Sequence, residues 1–278
     1  MAADAFVRLQ SMQSRSMLRR ACLLACVAAV AAVPAAGAGG GALRLPSPLP
    51  SRTLALPVLM YHRIGPITPA LPAITQRLSV SPQDFAAEME WLHAHGFHAV
   101  SALQAFEALE YGRPLPSKPV LITFDDGYRD VLWHAAPVLH RLHMPAIEFV
   151  ITDRISGPDP SFLTWPQLTR LEGFGVAIGS HTVHHLDLTT LSSSDAWAEL
   201  SESRKTLEQH LGHPVQFFAY PAGREDAAVV GLALKAGYVL AVTTDPGSTQ
   251  SASEPLLLHR YEVLNTTGVA GVAAIVGG

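Results

Sequence analysis

Two stretches of this chain carry residue types that could do chemistry. The first is Thr123-Phe124-Asp125-Asp126-Gly127, which ends an apolar, β-rich run, Pro119-Val120-Leu121-Ile122, and precedes a helical pattern. A strand, an abrupt stop at two adjacent carboxylates, a glycine and a helix is how an α/β enzyme presents charge at the C-terminal edge of its sheet. Neighbouring carboxylates repel, so a buried strand end holds two of them only with a cation or hydrogen-bond donors close by. Asp-Asp-Gly is also ordinary turn chemistry, and a solvated turn is the competing reading.

The second stretch is Gly179-Ser180-His181-Thr182-Val183-His184-His185, again after a strand-like run. Its histidines at i and i+4, joined by one carboxylate, are a usual donor set for a catalytic divalent ion, with positions left for water and substrate. Capping or surface polarity would explain one histidine. Three after one strand, alongside an acidic pair after another, favour a metal site. The pattern H-E-x-x-H is absent, which argues against that class of metalloprotease.

The elements that must position these groups alternate along the chain. Leu56 to His62 is a continuous apolar run, the mark of a strand buried on both faces. Further strands are expected at Phe97–Val100, Ala146–Val150, Val176–His181, Val215–Tyr220, Tyr238–Thr243 and Leu256–Val263. Helices are expected from Ser81-Pro82 to Gly96, over Ala102–Tyr111, over Val131–Leu142 with Pro137 as an interruption, from Thr164 to Leu171, over Ser192–Leu211 and over Asp226–Ala236. Alternation of this kind builds parallel βαβ units. About seven parallel strands in roughly 220 residues predict a distorted (β/α) barrel rather than an open sheet. Residues 64–81 form a Pro-dense loop longer than a connection needs, and the small, apolar stretch from Gly268 to Gly278 carries no evident role.

The N-terminus reads separately. Arg15, Arg19 and Arg20 precede an apolar run from Ala21 to Val33 and the small residues Pro34-Ala35-Ala36-Gly37-Ala38. That succession describes an export signal over residues 1–38, or a short membrane anchor if it stays uncut. Residues 39–53 read as a linker and 54–278 as the catalytic domain. Both cysteines, Cys22 and Cys26, lie inside the signal, so disulfides and thiolate chemistry are not expected of the mature chain. Cleavage after Ala38 removes four arginines and one aspartate, taking the formal charge from −4 to −7. An acidic exported protein is a poor partner for nucleic acid, and a neutral or cationic extracellular substrate fits better.

Thr-Phe-Asp-Asp-Gly together with His-Thr-x-x-His resembles the NodB-homology polysaccharide deacetylases, carbohydrate esterase family four. The resemblance runs from about Leu56 to Leu264. It implies a distorted (β/α) barrel and metal-dependent removal of N-acetyl groups from an N-acetylglucosamine-containing glycan of the cell wall or extracellular matrix, commonly with zinc. By position, it implies Asp126, His181 and His185 as metal ligands, Asp125 as general base and Thr182 as the hydroxyl that steadies the histidine loop. The family's third motif stands here as Ala219-Tyr220-Pro221-Ala222-Gly223, with Ala219 where an arginine normally orients the base. Tyr220, Pro221, Ala222 and Gly223 would then contact substrate or the oxyanion, the latter through the backbone N–H of Ala222. Phe218-Ala219-Tyr220-Pro221 and Leu59-Met60-Tyr61-His62 are similar to the branch of exported poly-N-acetylglucosamine deacetylases, in which this His62 approaches the site. The Asp-Trp motif is not recognisable. Leu257-Leu258-His259 matches the last motif and would make His259 the general acid, although Arg260 follows where the branch often has Pro-Arg.

Two alternatives stay open at this level. A glycoside hydrolase needs two carboxylates ~5–9 Å apart on either side of a sugar bond, which adjacent residues do not readily provide. The missing Arg and Trp also suit a catalytically impaired barrel that only binds glycans.

Overall fold

The computed structural model describes residues 52–277, so the leader expected at 1–38 lies outside the described residues. Seven parallel strands make the main sheet: β1 (Val58–Tyr61), β2 (Pro119–Asp126), β3 (Ala146–Val150), β4 (Val176–Ser180), β5 (Phe217–Ala219), β6 (Leu240–Val242) and β7 (Tyr261–Glu262). In space they run β6-β5-β4-β3-β2-β1-β7, with the two-residue strand His98–Ala99 added beside the start of β2. The last strand pairs Tyr261 with Leu59, while Leu258, just before it, bridges in parallel to Val242 at the opposite edge. Thr243 N–H donates to the Leu258 carbonyl and Leu258 N–H to Ala241, each at 2.9 Å. One short segment thus joins both edges and curls the sheet into the distorted barrel expected from the alternation of elements.

Strand side chains alternate between faces, and that period decides what reaches the barrel interior. Val58, Leu121, Ile147, Phe149, Ala219, Leu240, Val242 and Leu258 form one buried cluster inside the ring. On β2, Thr123 and Asp125 share the face of Leu121 and so continue this interior column towards the C-terminal end. The opposite face, Leu59, Tyr61, Ile122 and Phe124, packs under the surrounding helices.

Those helices are α1 (Pro82–Ala94), α2 (Ala102–Tyr111), α3 (Ala136–Arg141), α4 (Trp165–Gly173), α5 (Ser193–Leu211), α6 (Ala227–Ala236) and α7 (Gly268–Gly277). Caps written in the sequence start them. Ser81 accepts from the Asp84 N–H, Ser192 from Asp195 and Asp226 from Val229, and Pro82 fills the first turn of α1. Phe85, Met89 and Leu92 of α1 enter the core as their spacing predicts. Tyr61 on β1 donates its hydroxyl to Glu88 of α1 at 2.8 Å, a buried polar link through that apolar layer.

Three segments differ from expectation. Val131–Ala135 winds as a wide π turn before α3 begins, so Pro137 opens a helix instead of interrupting one. The Pro-dense stretch after Ile64 holds a short helix, Ala73–Arg77, and pairs Ser79–Val80 with Arg63–Ile64. The C-terminal stretch is α7, which buries Val272 and Val276 in the core beside α1. Among the described residues, no helix is long and apolar enough to cross a membrane.

Candidate active site

Asp126, His181 and His185 come together at the C-terminal ends of β2 and β4, with their donor atoms within 4.8 Å of one another. The Nε2 atoms of His181 and His185 stand 3.6 and 3.7 Å from Asp126 Oδ1. These gaps are too long for hydrogen bonds. They are near the ~3.4 Å expected between two ligands bound tetrahedrally at ~2.0–2.1 Å. His181 Nδ1 donates to the Ala219 carbonyl at 2.7 Å, which turns the Nε2 lone pair towards Asp126. Burial lowers the pKa of His181, and this outweighs the upward pull of Asp125 and Asp126. The ring is neutral at pH 7, the form that binds a cation. Two imidazoles and a carboxylate in this arrangement fit a divalent ion.

The backbone is strained where the donors sit. Asp126 has φ 79°, Thr182 φ 67° and His185 φ 61°, and the left-handed region is a costly place for a β-branched threonine. The loop is held on both sides. Thr182 Oγ1 accepts from the His185 N–H at 2.9 Å, the steadying role expected of it. Glu199, on α5, accepts from the N–H groups of Val183 and His184 at 3.0 and 2.9 Å and from His184 Nδ1 at 2.6 Å. On the acidic side, the Gly127 N–H donates to Glu148 Oε1 at 2.9 Å. Burial raises the Glu148 pKa well above the ordinary value, and the charges of Asp125, Asp130 and Asp126 push the same way. Burial thus disfavours a third negative charge at this brace under the turn.

Asp125 does not join the donor cluster. Its carboxylate is buried and meets the Arg260 guanidinium side by side, Nη1 to Oδ1 at 2.8 Å and Nη2 to Oδ2 at 2.7 Å. Arg260 is fully buried and further fixed by the Thr243 carbonyl at 2.7 Å and Thr123 Oγ1 at 3.1 Å. Burial alone would raise the Asp125 pKa. The charge and hydrogen bonds of Arg260, with His181 and His62 adding, overcome it and hold the group at about 2. The cation missing at Ala219 is thus supplied from the opposite edge of the sheet. Ala219 is a buried strand residue whose carbonyl orients His181.

His62 is close enough to Asp125 to lower its pKa, and its Nδ1 is buried without a hydrogen-bond partner. His259 also has a buried, unpartnered Nδ1, but its backbone N–H is tied to Gln250 and its ring packs against Gly247. No contact between His259 and Asp125 is found among the described residues. Tyr220 to Gly223 form a tight turn after β5, in which Ala222 is left-handed at φ 52° and the buried Tyr220 hydroxyl has no partner. A Cβ on Gly223 would lie 2.1 Å from Thr244 Oγ1, so that close approach requires glycine.

Sequence reasoning missed Arg260, Glu148 and Glu199 as site-shaping residues. Arg260 carried a signal, since it follows His259 in the last motif, whereas Glu148 and Glu199 looked like ordinary members of a strand and a helix.

A family profile described as polysaccharide deacetylase matches residues 112–241. A Bacillus subtilis protein of that description, YxkH, is 34% identical over 218 residues, covering 78% of this chain and 74% of its own. The poly-beta-1,6-N-acetyl-D-glucosamine N-deacetylase of Staphylococcus epidermidis is 26% identical over 185 residues, covering 59% of this chain and 64% of that protein. Among solved structures, the Streptococcus pyogenes deacetylase PplD in complex with acetate is similar at TM-score 0.75 and 28% identity, covering 81% of this chain and 99% of that one. IcaB from Ammonifex degensii is similar at TM-score 0.70 and 26% identity, covering 81% of this chain and 97% of that one.

Proposed function

Because this chain belongs to the polysaccharide deacetylase family, we propose that it hydrolyses N-acetyl groups from an N-acetylglucosamine-containing polysaccharide with the help of a divalent metal ion. The observation that carries the reading is the division of labour between two adjacent aspartates. Asp126 faces two imidazoles and Asp125 faces one guanidinium.

Asp126, His181 and His185 would hold the ion, and zinc suits two nitrogens and one carboxylate oxygen. When bound, it would supply Lewis acidity, polarising the acetyl carbonyl and acidifying water. Asp125 takes the proton from the attacking water. Arg260 keeps it ionised and fixes the direction of its oxygens, while leaving it free of the donor cluster. The backbone N–H of Ala222, in its left-handed turn with Tyr220, Pro221 and Gly223, donates to the oxyanion. A histidine returns a proton to the departing amine. His62 and His259 are the candidates, and the electrostatic reach of His62 to Asp125 favours His62. The intact Arg260–Asp125 pair weighs against a catalytically impaired glycan-binding barrel, whose main support was the missing arginine.

The basic, apolar and small-residue order of residues 1–38 supports action outside the cytoplasm on an extracellular or cell-wall glycan. The test is acetate release from N-acetylglucosamine oligomers. Release should stop with chelator, return with zinc, and be absent in Asp125→Asn. Binding of the oligomer without any acetate would overturn the hydrolytic reading.

A further inference from the structure

Beside the candidate centre, the loops after β1, β2 and β3 line an open pocket of about 230 Å³ whose walls include Arg63, Arg129, Asp130, Trp133 and Ser161. It lies on the same rim of the barrel, since Asp130 follows Asp126 by four residues and Tyr128 stands between them. That neighbourhood is rigid. Arg63 Nε donates to Asp130 Oδ2 at 2.9 Å, and the Ile64 N–H donates to Asp130 Oδ1 at 3.1 Å. Tyr128 is stacked on Phe162 at 4.9 Å, and the Arg63 guanidinium lies 4.8 Å above the Tyr128 ring.

Arg63 and Asp130 therefore neutralise each other, but Arg129 is left over. Its backbone N–H is pinned to the Ser161 carbonyl at 2.8 Å, which anchors the base of the side chain in the lining. Its guanidinium has no carboxylate partner among the described residues. With His134 counted neutral, the lining carries a formal charge of +1 in a chain whose net charge is −4. Trp133, in the lining, is 46% exposed, and the Arg170 guanidinium lies 5.0 Å from the centre of its ring. An exposed, braced indole offers the flat apolar surface on which a sugar ring lies. The volume is below the ~300–1,000 Å³ of pockets that enclose drug-sized ligands, which suits a single ring or substituent.

We propose that this cavity is a subsite for a carboxylate-bearing sugar unit adjacent to the unit that loses its acetyl group. The proposal rests on the deacetylase reading and deepens it. A planar guanidinium pairs a carboxylate through two parallel hydrogen bonds. One unpaired positive charge matches the single negative charge of a carboxylate. The Trp133 indole would cover the apolar face of the same ring.

The experiment compares kcat/KM for acetate release from two tetramers of equal length. One is neutral N-acetylglucosamine; in the other, alternate units carry an O-lactyl carboxylate. The wild type is expected to prefer the acidic tetramer by about tenfold, and the preference should shrink with added salt. Arg129→Gln is expected to reduce that acidic-to-neutral ratio about tenfold, and Arg129→Lys to reduce it less. Equal rates on both tetramers in the wild type, or an unchanged ratio in Arg129→Gln, would overturn the subsite while leaving the deacetylase reading intact. If neither tetramer releases acetate, the deacetylase reading fails, and calorimetric binding of the acidic tetramer decides the subsite by itself. Binding that weakens tenfold in Arg129→Gln and quenches Trp133 fluorescence supports it, and equal binding by both proteins overturns it.

Discussion

Arg260 and Asp125, 135 residues apart in the chain, face each other with both guanidinium Nη atoms on both carboxylate oxygens, at 2.8 and 2.7 Å. Arg260 is the cation that keeps a buried acid ionised. Arg260→Met is expected to strand that charge and cost about 3–5 kcal/mol, seen as a fall in Tm. The burial that Arg260 now offsets would then raise the Asp125 pKa, so the acid limb of the kcat/KM profile should move to higher pH. In the wild type the folded value, about 2, lies below that of a free aspartate. The pair therefore stabilises the fold at neutral pH, and this contribution is lost as the pH falls from ~4 through 2. Arg260→Lys retains the charge without the fork and should fall between the two.

The division of labour proposed for the two adjacent aspartates is distinguishable by metal content. Asp125→Asn is expected to abolish acetate release while retaining bound zinc, because Asp126, His181 and His185 are untouched. Asp126→Asn is expected to lose both. Zinc measured by plasma emission beside acetate release separates the outcomes. Equal zinc loss in the two variants would contradict the division of labour.

Glu199 grips the loop between His181 and His185 with three hydrogen bonds. Glu199→Ala is expected to weaken zinc binding by roughly 10–100-fold, the range for loss of outer support to a ligand. Chelator competition reads this directly. A merely structural role would lower Tm and leave the zinc dissociation constant of the folded protein unchanged.

Glu88 gives the fold a second pH dependence, of opposite sign. Burial raises its pKa to about 7, against the hydrogen bond from Tyr61 and with the push of Asp84. One of its oxygens, Oε1, has no partner. An acid with a raised folded pKa favours the fold while protonated, so stability is full below pH ~4 and declines as the pH rises to 7. Glu88→Gln should stabilise the protein by up to about 3 kcal/mol at pH 8 and change little at pH 4. Thermal unfolding at the two pH values provides the measurement.

The parts of this molecule that were legible in its sequence are those whose cause is local. Caps at Ser81, Ser192 and Asp226 and the helical spacing of Phe85, Met89 and Leu92 announce their helices within a few residues. Asp125 with Asp126, and His181 with His185, carry their chemistry in type and spacing. Arg260 could not be read with equal ease, because its partner is determined only when the last strand docks beside the first. Glu148 was hidden in an apolar strand, and its effect depends on the turn above it. The glycine- and alanine-rich α7 lacks polar periodicity, so its pattern does not announce the helix that packs against α1.

Arg260 lies on the short segment that ties Val242 at one edge of the sheet to Leu59 at the other. Without that segment Asp125 would lose its counter-charge, and the sheet would lose the link between its two edges. The same few residues therefore close the ring and complete the buried ion pair. A chain ending before Leu256 would lack the closure of the ring and the partner of its buried acid together.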